Sequence, residues 1–189
     1  MRNLHHFSTE FSALFLVVFF LGCASRPDEA LKLAQQAMEQ AKQEQASEFA
    51  SGDWKSAEKA WNDAQTALKN QRYGESAALL TTSKSRFEKA GTIAKAKREE
   101  VRKEVMAMQN AANRRLSVLR DEINSIRVSA RAKRDLDEAF RDVESIVDKL
   151  NTEMLNEQLV QARSSGQIAL QKLTEVEKKV TSASKTPIH

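Results

Sequence analysis

A chain of 189 residues with 41% hydrophobic and 30% charged content suits one ordinary or one elongated domain and leaves little room for a large buried core. Gly (5), Pro (2) and aromatics (6%) are scarce, while Ala, Glu, Gln, Lys, Arg and Leu fill the chain. These residues lose little rotamer freedom in a helix, so an all-α fold is expected. The single cysteine excludes an internal disulfide framework, leaving helix packing to supply stability.

The first 23 residues have the layout of an export signal: a short n-region with Arg2, an apolar run from Phe11 to Leu21, and small residues where cleavage would fall. Eleven residues cannot span a bilayer as a helix, which needs about 20. The run ends in Phe20-Leu21-Gly22-Cys23-Ala24, which resembles the lipobox of bacterial lipoproteins. That resemblance implies a diacylglycerol on the Cys23 thiol, cleavage before Cys23, and acylation of the new amino terminus. Phe20 stands where the family usually has Leu, and Glu10 is an unusual charge beside the apolar run. Each buried methylene contributes about 0.8 kcal/mol, so one acyl chain holds marginally while two or three anchor durably. Ala24 follows the cysteine where Asp does not, and by resemblance to lipoprotein sorting in two-membrane bacteria this implies the outer membrane, on its periplasmic face. The expected divisions are a signal peptide, 1–22, and a lipidated start with a short tether, 23–26.

Ser25-Arg26-Pro27-Asp28 reads as a helix start, with Ser25 placed to cap and Asp28 at the positive end of the dipole. The first helix is expected to run to about Glu48, with Ala30, Leu33, Ala34, Ala37, Met38 and Ala41 on one stripe. Ser51-Gly52-Asp53 breaks it. A second helix carries Trp54, Ala57, Trp61, Ala64 and Leu68 at steps of three and four, a seam built to pack on another helix. Asn70 to Gly74 reads as a short turn, so the third helix folds back antiparallel and buries Ala77, Leu80, Phe87 and Ala90. No strong stop follows before Val128-Ser129, so this helix extends about 80 Å at 1.5 Å per residue, with Gly91 and Thr81-Thr82-Ser83 as candidate kinks. Its later stripe, Val101, Val105, Met108, Ala112, Leu116, Leu119, Ile123, Ile126 and Ala130, steps by about 3.6 residues, the period of a straight helix rather than a supercoiled one. Ser129 caps a fourth helix to about Leu150; Asn151-Thr152-Glu153 turns; a fifth runs from Met154 to near Val180. The expectation is an all-α chain of elongated antiparallel helical hairpins with one long central helix: a helical-hairpin domain at 27–97, the long helix and a second hairpin at 98–181, and a disordered tail at 182–189. An offset of 79 residues lays the second hairpin on the first, with Ala57 on Leu136, Trp61 on Phe140, Ala64 on Val143 and Leu80 on Leu159, as a duplication would and as any two amphipathic hairpins slid into register also would, Lys133 standing at Trp54.

The stretch from Ala30 to about Lys97 has alanines every three or four residues, the run Ala64-x2-Ala67-Leu68, and Tyr73 opening a partner helix with Leu79-Leu80. It resembles the helical bacterial lipoproteins assigned only to a domain of unknown function, and it is also similar to a tetratricopeptide hairpin. Asn70-Gln71-Arg72 replaces the Gly-Asp favoured in those turns, and Ser76 stands where Ala is usual, so a tetratricopeptide ligand groove does not carry over.

Reactive side chains are missing where catalysis would need them. The histidines are His5, His6 and His189, and Cys23 is consumed by lipid, which excludes imidazole or thiol metal sites and Ser-His-Asp or Cys-His nucleophiles between the signal and the last residue. The neighbouring carboxylates Glu99/Glu100 and Asp137/Glu138 point to different sides of a helix. No Gly-rich phosphate loop occurs. The chain is therefore expected not to be an enzyme and to need no cofactor or metal beyond the covalent lipid on Cys23. Trp54, Trp61 and Tyr73 read as core aromatics on an Ala-lined seam rather than as a sugar platform. Charge is uneven. Residues 95 to 134 hold twelve basic and five acidic side chains, a local excess of +7. Arg114, Arg115, Arg120, Arg127, Arg131, Lys133 and Arg134 are the candidate contacts to an anionic surface. The expected role is a non-catalytic scaffold or adaptor of the cell envelope, held to a membrane by lipid and acting through helical surfaces on an envelope protein. The alternative is a module that binds peptidoglycan, the cell wall or an anionic glycan through 95–134. Nucleic acid is not an expected partner, and a homo-oligomer is compatible with the exposed parts of the Val101 to Ala130 stripe.

Overall fold

A computed structural model describes residues 25–185; residues 1–24, which include the expected signal segment and Cys23, and the last four residues lie outside the described residues. The described residues are all-α and form six helices: α1 Asp28–Gln43, α2 Ala46–Phe49, α3 Ser51–Lys69, α4 Tyr73–Ser125, α5 Ala130–Leu155 and α6 Leu159–Ser184. The long central helix, α4, has 53 residues and is continuous through Thr81, Thr82, Ser83 and Gly91. The Thr81 and Thr82 hydroxyls donate to the carbonyls one turn back, both at 3.0 Å, which satisfies them without breaking the helix.

The chain divides into two compact units. The first comprises residues 25–41 and 52–90, which are α1, α3 and the start of α4. Its core is unusually small in side chain: Ala34, Ala37 and Ala41 from α1 and Ala57, Ala60, Ala64 and Ala67 from α3 are all buried. Large residues are few, chiefly Leu80, Phe87 and Trp54, with the Trp54 and Phe87 rings tilted at 58° and 5.0 Å apart. Trp61 is half-buried against the Ala34, Ala64 and Leu80 cluster. Ser76 and Ser83, both 0% exposed, face the same seam. Their hydroxyls donate to the Ala64 carbonyl at 3.0 Å and the Ala57 carbonyl at 3.3 Å. The serine found where alanine is usual therefore bonds the neighbouring helix, and the buried polar group is satisfied. Ala77, expected in the core, is half-buried beside it.

The second unit comprises residues 42–51 and 91–185. The later part of α4 packs with the antiparallel pair α5 and α6 around Val105, Ala112, Leu116, Leu119 and Ile123 from α4, Leu136, Phe140, Val143, Val147 and Leu150 from α5, and Ala162, Ala169, Leu173, Val176 and Val180 from α6. From Val105 to Ile123 the α4 stripe expected from periodicity is this core seam, with Val101 and Ile126 half-buried against it. Ala130, expected on the stripe, is exposed at the start of α5. Met108 departs from the seam by half exposure, lying against Gly166.

Several boundaries move. The first break comes at Glu44–Gln45 rather than Ser51-Gly52, and α3 already begins at Ser51. Gln45 adopts a left-handed φ of 57°, and α2 then buries Ala46 and Phe49. Ser129 caps α5 as expected, its hydroxyl accepting from the Ala132 amide at 3.3 Å. α5 continues past Asn151-Thr152-Glu153 to Leu155, because Leu150 and Glu153 are buried on its inner face. The reversal falls at 156–158, with Glu157 left-handed at φ 56°. Ser182–Ser184, expected in the tail, are the last residues of α6.

Candidate functional site

The basic excess of 95–134 lies along α4 and the start of α5, and packing assigns its members different work. Arg98, half-buried, pairs with Glu44 at 3.2 Å and donates to the Gln43 carbonyl at 3.3 Å, closing the end of α1. Arg102 grips Glu157 with two parallel hydrogen bonds of 2.9 and 3.0 Å. This pair holds the Glu157 carboxyl below its ordinary range and the Arg102 guanidinium above its own, through the hydrogen bond first and charge second. A carboxyl lowered in this way favours the folded state above its ordinary range, and the benefit is lost as pH falls through the lowered value.

The seven candidate contacts separate into two groups. Arg115 binds Glu177 bidentately at 2.8 and 2.7 Å, donates to the Thr174 hydroxyl at 2.8 Å and reaches the Leu170 carbonyl at 3.4 Å. The Glu177 carboxylate raises its guanidinium above the ordinary value. Arg120 pairs with Glu144 and lies over the Phe140 ring, 5.4 Å from its centroid. Lys133 donates to the Ile123 carbonyl at the end of α4 and stands 3.6 Å from Asp137. These three tie the helices of the second unit together. Arg114, Arg127, Arg131 and Arg134 are exposed and have no ion-pair partner among the described residues.

This division is measurable. Arg115→Ala is expected to cost about 1–2 kcal/mol of stability, because it removes charge-assisted hydrogen bonds that join α4 to α6. Arg114→Ala, one residue earlier, should stay within about 0.5 kcal/mol of the parent. Urea unfolding of the two variants side by side tests the distinction; equal midpoints would show that the Arg115 fork carries no stability.

Two shallow grooves open on the second unit. One, of about 390 Å³, lies between α4 and α6 and is lined by Arg114, Val118, Leu119, Glu122 and Thr181. The other, of about 350 Å³, is lined by Phe49, Val101 and Val160 together with Glu48, Lys97 and Arg163. Each is lined by apolar and charged side chains together. Periodicity hid the first, since Val118 falls off the α4 stripe that the 3.6-residue spacing selects. A polar layer, Gln109 on Asn151 at 2.9 Å with Asn113 at 3.5 Å, joins α4 to α5.

Trp54 is buried and Trp61 and Tyr73 are half-buried. Trp54 packs its ring at a tilt against Phe87 within the core rather than on an open platform. Among the described residues no cluster of three His, Cys, Asp or Glu is placed to hold a metal ion, and no helix is long and apolar enough to cross a membrane. No protein family, characterised protein or solved structure matches this chain.

Proposed function

We propose that this chain is a lipid-anchored cell-envelope protein, exported and held by lipid on Cys23 at the periplasmic face of the outer membrane, that works without catalysis as a scaffold or adaptor. The anchor half of this reading draws on the sequence Phe20-Leu21-Gly22-Cys23 and its resemblance to the lipobox. The adaptor half is carried by one observation. The second unit leaves large apolar side chains in solvent beside charged neighbours, with Val118 57% and Val160 43% exposed, each lining a groove. Exposed apolar side chains among charged ones in a groove suit the docking of a partner's anchoring side chain.

A photo-crosslinking side chain placed at Val118 or Val160 in living cells tests the adaptor. Discrete protein adducts at these positions, and none at the exposed Lys55 of the first unit, are the expected result. Adducts to cell wall alone, or the same adducts at all three positions, would sink the reading. Mass spectrometry of the mature amino terminus tests the anchor independently, and an intact Met1 or an unmodified Cys23 would remove it.

A further inference from the structure

Packing consumes most of the basic side chains of α4, but not those at the α4–α5 end of the second unit. Arg127 in the turn and Arg131 and Arg134 at the start of α5 are exposed, and none has an ion-pair partner among the described residues. Partners stand within sequence reach. Asp135 and Glu138 follow Arg131 and Arg134 by four residues, the spacing at which helical pairs close, yet neither pairs with them, while Asp137 is directed to Lys133. The first turn of α5 contains no acidic residue. Arg131 therefore meets the positive end of the helix dipole with no acidic residue beside it in that turn, a placement that disfavours the folded helix. Because α5 and α6 form an antiparallel pair, α6 ends near the start of α5, and Lys178 and Lys185 are exposed near its end.

The chemistry of the cluster narrows its ligand. Guanidinium forks match the paired oxygens of phosphate, and the three exposed basic groups of the turn and the start of α5 are all arginines. No aromatic face is offered to a sugar ring here, since Phe140 is buried beneath Arg120. Val128, between the arginines, is half-buried, so contact would be made at headgroup depth by charge and not by insertion. We infer that the α4–α5 end of the second unit binds a bilayer surface carrying anionic phospholipid headgroups, through Arg127, Arg131 and Arg134. The inference rests on the envelope location proposed above.

The test uses the lipidated protein seated in purely zwitterionic vesicles, after its amino-terminal lipid has been checked by mass, so that a missing anchor is scored separately. Acceptor vesicles are added, either zwitterionic or containing about one third phosphatidylglycerol, and vesicle clustering and hydrogen exchange of residues 126–134 are read. Anionic acceptors should slow exchange in this segment and cluster the vesicles, and raised salt should reverse both. The combined Arg127→Glu, Arg131→Glu and Arg134→Glu variant should bind about a hundredfold more weakly. Lys32→Glu, Lys55→Glu and Lys69→Glu together make the same change in net charge at exposed positions of the first unit and should leave binding within about twofold. Unchanged exchange in the α5 core of the arginine variant shows that it is folded. Equal losses in the two triple variants would reduce the effect to net charge and overturn the inference. Indifference to anionic vesicles would also overturn it, as would a response confined to isolated cell wall, which would transfer the cluster to a glycan.

Discussion

Phe87→Ala should lower the stability of the first unit by about 3–5 kcal/mol, the range for removing a large aromatic from a filled core. Phe87 is 0% exposed, and it is one of the few large side chains in a core otherwise made of alanine and serine. Alanines cannot swing inward to fill the space it vacates. The helices cannot close either, because Ser83, one turn before Phe87, is hydrogen-bonded to the Ala57 carbonyl and fixes the separation of α4 from α3. Trp54 would also lose the ring it leans on at 5.0 Å, a contact that contributes about 0.5–1.5 kcal/mol beyond buried area. Set against a domain stability of about 5–15 kcal/mol, the loss brings the unit close to unfolding at ordinary temperature. Hydrogen exchange resolves the effect by unit: amides of 52–90 should lose protection while those of α5 and α6 keep it. Phe87→Leu, which retains most of the volume, should cost less than about 1.5 kcal/mol. A loss below about 1 kcal/mol for the alanine variant would mean that the small-residue core collapses around the gap after all.

Phe87, Leu80 and the Val105 to Ile123 seam were legible in the sequence because a buried helix face repeats at its own period, whatever it packs against. Reversals of the chain were harder. Gly52 and Gly74, the residues that suggested breaks, have ordinary backbone angles, while the left-handed positions are Gln45, Gln71 and Glu157. At Gln45 the chain turns early so that α2 can bury Phe49, and at Glu157 it turns late so that Leu150 and Glu153 stay inside; in both, tertiary burial decides against local turn preference. The same shift bears on the proposed duplication. Ala57 and Leu136, Ala64 and Val143, and Leu80 and Leu159 are buried alike at the 79-residue offset, yet the left-handed turn residue comes about two helical turns later in the second hairpin. Whole turns preserve the buried face, so periodicity alone could not locate the reversal. The surface charges obey a related limit. A count of basic residues exposed the excess on 95–134, but Arg115 finds Glu177 62 residues away and Arg102 finds Glu157 55 away, so which cations remain free depends on the fold.

Gly166 carries the second large effect, and the size of the incoming side chain sets its sign. α6 turns a small face, Ala162, Ser165, Gly166 and Ala169, toward the core of the second unit, and all four are buried. A Cβ on Gly166 would lie 3.0 Å from the Met108 sulfur, 3.2 Å from the Met108 Cβ and 3.7 Å from a Leu150 methyl. The sulfur sits at the far end of a flexible chain and can move aside, but the Met108 Cβ is fixed to α4 and yields only if the helices part by a few tenths of an ångström. Gly166→Ala adds about 1 kcal/mol of helix propensity against a crowding cost of similar size, so its net change should stay within about 1 kcal/mol. Gly166→Leu keeps nearly the same propensity gain but drives three further carbons into space held by Met108 and Leu150, and should destabilise by about 3 kcal/mol. Met108→Ala, combined with Gly166→Leu, vacates the blocked space and should recover more than half of that loss, a coupling expected only between residues in contact. Urea unfolding of the four-member cycle decides the matter: strict additivity would show that the glycine is held by something other than its approach to Met108.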